Sequence, residues 1–184
     1  ELIAKFSVER INKSGAKFDF EKAKWFNHEW IKHLDNAVLM PQIVAVLEDN
    51  GVPVIDTTLV DKVLTAVKER MTYMSDFWTQ SSFFFQAPEA IDVDAVKPKW
   101  NVEKTTFFEN IIPTFATIDD WNAVTLTSFF KEQVAASGIK IGELMMPFRI
   151  MLVGGKFGPD VFLIAELLGK DEVINRIKKA LPLF

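Results

Sequence analysis

Apolar residues recur at spacings of three and four along almost the whole chain, and the strict alternation of an exposed strand is nearly absent, so the sequence predicts an all-α fold. Asp19 is an N-cap candidate for a helix over 22–34, whose Trp25, Phe26, Trp30, Ile31 and Leu34 share one face. Pro41 suits the first turn of a helix over 41–49, which Asn50-Gly51 stops. The cap signal Asp56-Thr57-Thr58 opens a helix over 58–70 with Leu59, Val63, Leu64 and Val67 as its apolar stripe and Arg70 in its last turn. Ser75-Asp76 begins a short helix leading into Phe83-Phe84-Phe85. Three consecutive rings cannot face one side of a helix, so this run reads as a buried connector.

Residues 87–100 contain Pro88, Pro98 and several charges, the composition of a linker, and place a boundary near residue 97. Beyond it the pattern predicts helices over 102–115 and 121–136, separated by a stop and cap at Thr117-Ile118-Asp119-Asp120, with Gly138 ending the second. A third runs over 144–153 and closes at Gly154-Gly155, followed by 159–168 and 171–181 divided at Gly169. Short connections between amphipathic helices imply a compact bundle of two small stacked helical subdomains, 1–96 and 97–184.

Of the 184 residues 49% are hydrophobic and 12% aromatic, enough for a packed core, while the absence of cysteine excludes disulfides, thiolate metal sites and a cysteine nucleophile. A reducing cytosol fits. The most apolar stretch, 144–153, is broken by Pro147 and Arg149 and is too short for a membrane span, and the start is unlike a signal peptide. Glu1 in place of methionine suggests a portion of a longer polypeptide. The net charge of −4 argues mildly against nucleic acid, but it is unevenly spread: residues 1–95 hold 10 basic against 15 acidic side chains, and 96–184 hold 11 against 10. Any RNA-facing surface must therefore be local.

Catalytic and phosphate-binding signatures are missing: no Walker loop, no zinc helix, no nucleophile elbow. Gly154-Gly155-Lys156-Phe157-Gly158 lacks both a preceding strand and the Gly-Lys-Ser/Thr ending. His28 and His33 are five residues apart, the wrong spacing for two ligands on one helix, and read as surface or packed-edge histidines. The pairs Asp92/Asp94, Asp119-Asp120 and Asp171-Glu172 fall where caps and first helical turns place them. Composition alone leaves two readings open, an RNA-binding module and a non-catalytic helical protein–protein interaction domain.

Three stretches resemble the region of glutamyl-tRNA synthetases that follows their nucleotide-binding catalytic domain. They are Phe18-Asp-Phe-Glu-Lys-Ala-Lys-Trp-Phe-Asn27; Val67-Lys-Glu-Arg-Met71; and Gly138-Ile-Lys-Ile-Gly-Glu-Leu-Met-Met-Pro-Phe-Arg149 with Leu152-Val-Gly-Gly, Gly158-Pro-Asp-Val-Phe, Leu167-Leu-Gly-Lys170 and Arg176-Ile177. The family's His-Ile-Gly-His-type and Lys-Met-Ser-Lys-type ATP motifs occur nowhere in the sequence. The resemblance implies the all-α anticodon-binding type of the bacterial class I enzymes, with recognition but no catalysis and no cofactor in this portion. Glutamate–tRNA ligase activity, with ATP and magnesium, would belong to the parent enzyme. Its implied partners are tRNA(Glu) and the enzyme's own N-terminal catalytic domain, in a cytoplasmic monomer with no membrane attachment. It makes 1–96 a stem-contacting and first anticodon-binding subdomain and 97–184 a second.

Carried over by position, Arg70 matches the arginine that reads the third anticodon base, and a planar guanidinium fork suits the acceptor edge of cytosine and conflicts with guanine. Read from the residues alone, Arg70 equally neutralises a helix C-terminus. Arg149 matches a second anticodon-contacting arginine; interrupting an apolar run, it must reach solvent, a carboxylate or a ligand. Lys131 stands where relatives often have arginine, which keeps phosphate attraction and removes the fork. Gly158, Pro159 and Val161 match a loop lining the anticodon pocket, where Gly158 replaces a hydroxyl-bearing residue of some relatives.

Overall fold

The computed structural model describes residues 2–10, 15 and 17–184, and among these every regular element is helical. Ten α-helices follow one another: α1 Leu2–Lys5, α2 Phe20–His33, α3 Asn36–Asp49, α4 Thr57–Val67, α5 Asp76–Phe85, α6 Val102–Ala116, α7 Ala123–Ser137, α8 Ile141–Val153, α9 Val161–Leu168 and α10 Lys170–Ala180. Single 3-10 turns fill the gaps at Val8–Arg10, Lys68–Arg70, Val93–Ala95, Lys97–Lys99 and Leu181–Leu183.

Polar caps fix several helix starts by occupying amide groups that have no partner within the helix. Asp19 accepts from Lys22 N at 3.0 Å and Asp56 from Thr58 N at 2.8 Å, as the sequence pattern predicts. Before α7 the cap is Asn122, accepting from Thr125 N at 2.9 Å, rather than the Asp119-Asp120 pair. Helix α3 begins five residues before Pro41, so the proline is internal. It cannot donate to the carbonyl four residues back, and its ring crowds that turn. Burial of Leu39, 4% exposed, and the anchoring of Asn36 to Asp61 and Thr65 on α4 offset that loss. Pro113 and Pro147 are likewise internal, to α6 and α8.

One hydrophobic core runs through both halves of the chain. Helix α9 is its common element, touching α7, α8 and α10 on one side and α4 and α5 on the other. Phe107, Phe108, Phe115, Phe130, Phe148 and Phe162 form an aromatic cluster around it, with Phe130 stacked on Phe148 at 5.1 Å and edge-on to Phe162 at 5.5 Å. Each buried ring contributes on the order of 1.5–3 kcal/mol. The Phe83-Phe84-Phe85 run is the last turn of α5 and not a connector; Phe83 and Phe84 are buried, Phe85 half-buried.

Helix α2 departs most from its expected placement. Trp25, Phe26 and Trp30 are 56%, 48% and 65% exposed, and only Ile31 of the predicted face is buried. The helix attaches through another edge, where Asn27 Nδ2 donates to Thr72 O, His28 Nδ1 bonds Met71 O at 2.8 Å, and Ile31 enters the core. In α4 the inward stripe is Val60, Val63, Leu64 and Val67, with Leu59 on the rim.

Candidate nucleic-acid interface

Every residue of α8 from Pro147 to Val153 is buried except Arg149, which is half-buried. Its Nη1 donates to three successive backbone carbonyls, Phe157 O at 3.0 Å, Gly158 O at 3.3 Å and Pro159 O at 2.7 Å. The sequence left solvent, a carboxylate or a ligand as destinations; the structure supplies a clasp of main-chain oxygens instead. The loop can present them because glycines permit its turns. Gly154 ends α8 with φ 83°, and Gly158 sits at φ 98°, a region side chains with a Cβ rarely adopt. Asp160 then caps α9, accepting from Phe162 N at 2.9 Å and Leu163 N at 3.1 Å.

All three bonds leave from Nη1, so Nε and Nη2 take no part in the clasp. Partial burial holds the Arg149 guanidinium below its ordinary pKa; the Asp160 carboxylate pulls it back up, and the charge of Arg70 pushes it further down. The two arginines that the sequence singled out are therefore near enough to repel. Among the described residues neither forms an ion pair with a carboxylate. Two cations within electrostatic reach, with the Asp160 carboxylate only partly offsetting burial and repulsion at Arg149, favour an incoming anion.

Arg70 is the exposed last residue of the 3-10 turn that follows α4, on a rigid mount. Met71 behind it is fully buried, and His28 and Asn27 hold the carbonyls of Met71 and Thr72. A carbonyl only accepts, so His28 donates from Nδ1. The Asp76 carboxylate accepts from Thr72 N at 2.8 Å and Tyr73 N at 2.9 Å, closing the turn on its other side. His28, read as a surface or packed-edge residue, thus supports the site.

A second pin joins the chain halves beside α8. Asp92 N donates to Gly154 O at 2.8 Å, and a Cβ on Gly154 would lie 2.5 Å from Ala90 O. Only glycine lets the 88–92 segment approach so closely. Of the remaining predicted residues, Gly158, Pro159 and Val161 are buried and the first two meet Arg149, whereas Lys131 is exposed on α7 and is not among the charges acting on Arg149. Asp160, Asn27 and Asp76 were not expected at the site from the sequence, Asp76 being read only as a helix start. Asp160 carried a legible signal, an aspartate directly before an apolar helical run.

The match to the family described as anticodon binding domain covers residues 21–181. The chain is 37% identical over 183 residues to a glutamate–tRNA ligase of Flavobacterium johnsoniae, covering 98% of this chain and 36% of that protein. A glutamate–tRNA ligase of Porphyromonas gingivalis is 34% identical over 183 residues, again across 36% of its length. The crystal structure of a glutamate–tRNA ligase from Elizabethkingia meningosepticum superposes with a TM-score of 0.88 at 33% identity, covering 96% of this chain and 35% of that one. The chain thus spans about a third of the length of the relatives it matches. With the family match extending over most of its residues, this all-helical chain belongs to the anticodon-binding domain family.

Proposed function

We propose that the chain is the tRNA-gripping region of a glutamate–tRNA ligase, reading the anticodon of tRNA(Glu) while the rest of the parent enzyme performs ATP- and magnesium-dependent ligation. The observation that carries this is the pair of guanidiniums within electrostatic reach of each other, Arg70 at the end of a 3-10 turn and Arg149 on α8, neither in an ion pair among the described residues, in a chain of the anticodon-binding family. Arg70 presents a donor fork to the third anticodon base. Arg149 spends Nη1 on the loop and offers Nε and Nη2 to a neighbouring base or phosphate. Gly158, Pro159 and Val161 act by shaping the clasp, and Lys131 attracts phosphate at a distance.

In this reading 1–96 is the stem-contacting and first anticodon-binding subdomain and 97–184 the second, joined through α9. The exposed Trp25, Phe26 and Trp30 of α2 are the surface against which the catalytic domain of the same polypeptide packs, in a cytoplasmic monomer. No helix among the described residues is long and apolar enough to cross a membrane, and no cluster of three or more His, Cys, Asp or Glu is placed to hold a metal.

The test is binding of anticodon stem-loops that end in C or G at the third position. A bidentate contact is worth roughly 1–3 kcal/mol of discrimination, so Arg70→Gln lowers the preference ratio by about 5- to 150-fold. A ratio unchanged by the substitution refutes the assignment of Arg70. Equal retardation of the cognate and a scrambled stem-loop on a gel would favour a protein-interaction module instead.

A further inference from the structure

We infer that Phe157 is a stacking platform for an unpaired nucleobase of the bound RNA loop, a role that rests on the anticodon-reading assignment above and adds a residue to it. Phe157 is 43% exposed, although Gly158 and Pro159 immediately after it are buried. Its backbone is fixed, because its carbonyl is the first of the three held by Arg149. Its ring is fixed as well: it meets the buried Phe83 edge-on, with centroids 5.7 Å apart and planes at 66°. On another side it lies against Gly155, where an added Cβ would come within 2.8 Å of the ring. Gly154-Gly155 therefore serves a second purpose beyond ending α8, giving the ring room to lie down on the backbone.

A ring held against Phe83 and Gly155, with surface left open on a residue whose carbonyl is held by the Arg149 guanidinium, matches what single-stranded RNA recognition requires. Cations draw in the phosphodiester, and a pre-positioned aromatic face receives a splayed base with little further loss of side-chain freedom. The contact is insensitive to base identity, since every base has a π-face. Phe157 consequently positions the loop for the arginines to read.

The experiment uses the 184-residue chain and an anticodon stem-loop carrying 2-aminopurine at each loop position in turn, whose fluorescence is quenched by stacking. Quenching is expected at one anticodon-loop position on binding. Phe157→Leu is expected to abolish that quenching and weaken binding about tenfold, within the range for loss of one stacked base. Phe157→Trp should restore both. Unaltered thermal melting of Phe157→Leu would show that the fold is retained, and a preserved C-over-G ratio would show that Arg70 still reads. Undiminished quenching and affinity in Phe157→Leu overturn the stacking role alone. Failure of the unaltered chain to bind the stem-loop overturns the anticodon-reading assignment and this inference together.

Discussion

Arg149 combines two tasks that one substitution series can separate. In Arg149→Met the carbonyls of Phe157, Gly158 and Pro159 lose their shared donor. Phe157 O faces solvent and recovers a water, so the cost comes from the two part-buried carbonyls. An acceptor left unmet costs about 1–3 kcal/mol. Relief of a half-buried cation repelled by Arg70 returns part of this, leaving an expected loss of about 2 kcal/mol, or roughly 4–8 °C in melting temperature for a chain of this size. Urea titration followed by tryptophan fluorescence measures it, and hydrogen exchange at residues 156–160 localises it. Arg149→Lys places its ammonium toward the same carbonyls from a shorter stem. It should recover part of the stability while losing the guanidinium fork. If Arg149→Met cost less than about 0.5 kcal/mol, the value of an ordinary surface change, the clasp would not be holding the loop and the argument from its geometry would fail.

Gly158→Ala forces a Cβ into φ 98° and brings it within 3.2 Å of both Phe83 and Ile164, so a stability loss of about 1–3 kcal/mol is expected in the same titration; no loss would mean the loop relaxes freely. Glu172 supplies a pH dependence. Partial burial works to raise its pKa, but the hydrogen bond from Arg176 Nε at 2.7 Å and the charge of Arg176 outweigh this and leave it lowered. A depressed folded value contributes stability above the unfolded value and loses it as pH falls through the folded one. Melting temperature should therefore drop below about pH 4.5, and Glu172→Gln should drop less steeply there; identical slopes would refute the coupling.

Helix positions were largely readable because capping side chains and left-handed glycines act locally. Asp19, Asp56, Gly138 and Gly154 sit where the pattern placed them. What local chemistry could not reveal was which face of an amphipathic helix meets the core. On α2 the aromatic side is exposed and the Asn27, His28, Ile31 edge is attached, an outcome decided by the distant carbonyls of Met71 and Thr72. The backward extension of α3 past Pro41 likewise depended on Leu39 reaching the core. At the site, Arg70 and Arg149 were found by resemblance, and their proximity belongs to the fold alone, since nearly eighty positions of sequence separate them. That Arg149 would bond backbone oxygens was invisible, because carbonyl direction follows from loop torsions rather than from residue type.

The contact between Gly154 and the 88–92 segment bears on how a flexible ligand is measured. With that seam closed and α9 packed against α4 and α5 as well as α7, α8 and α10, the elements that carry Arg70 and Arg149 are tied into one core. Under the proposed anticodon-reading function, bending would therefore fall to the nucleic acid, and strands that resist unstacking would be disfavoured before any base edge is compared.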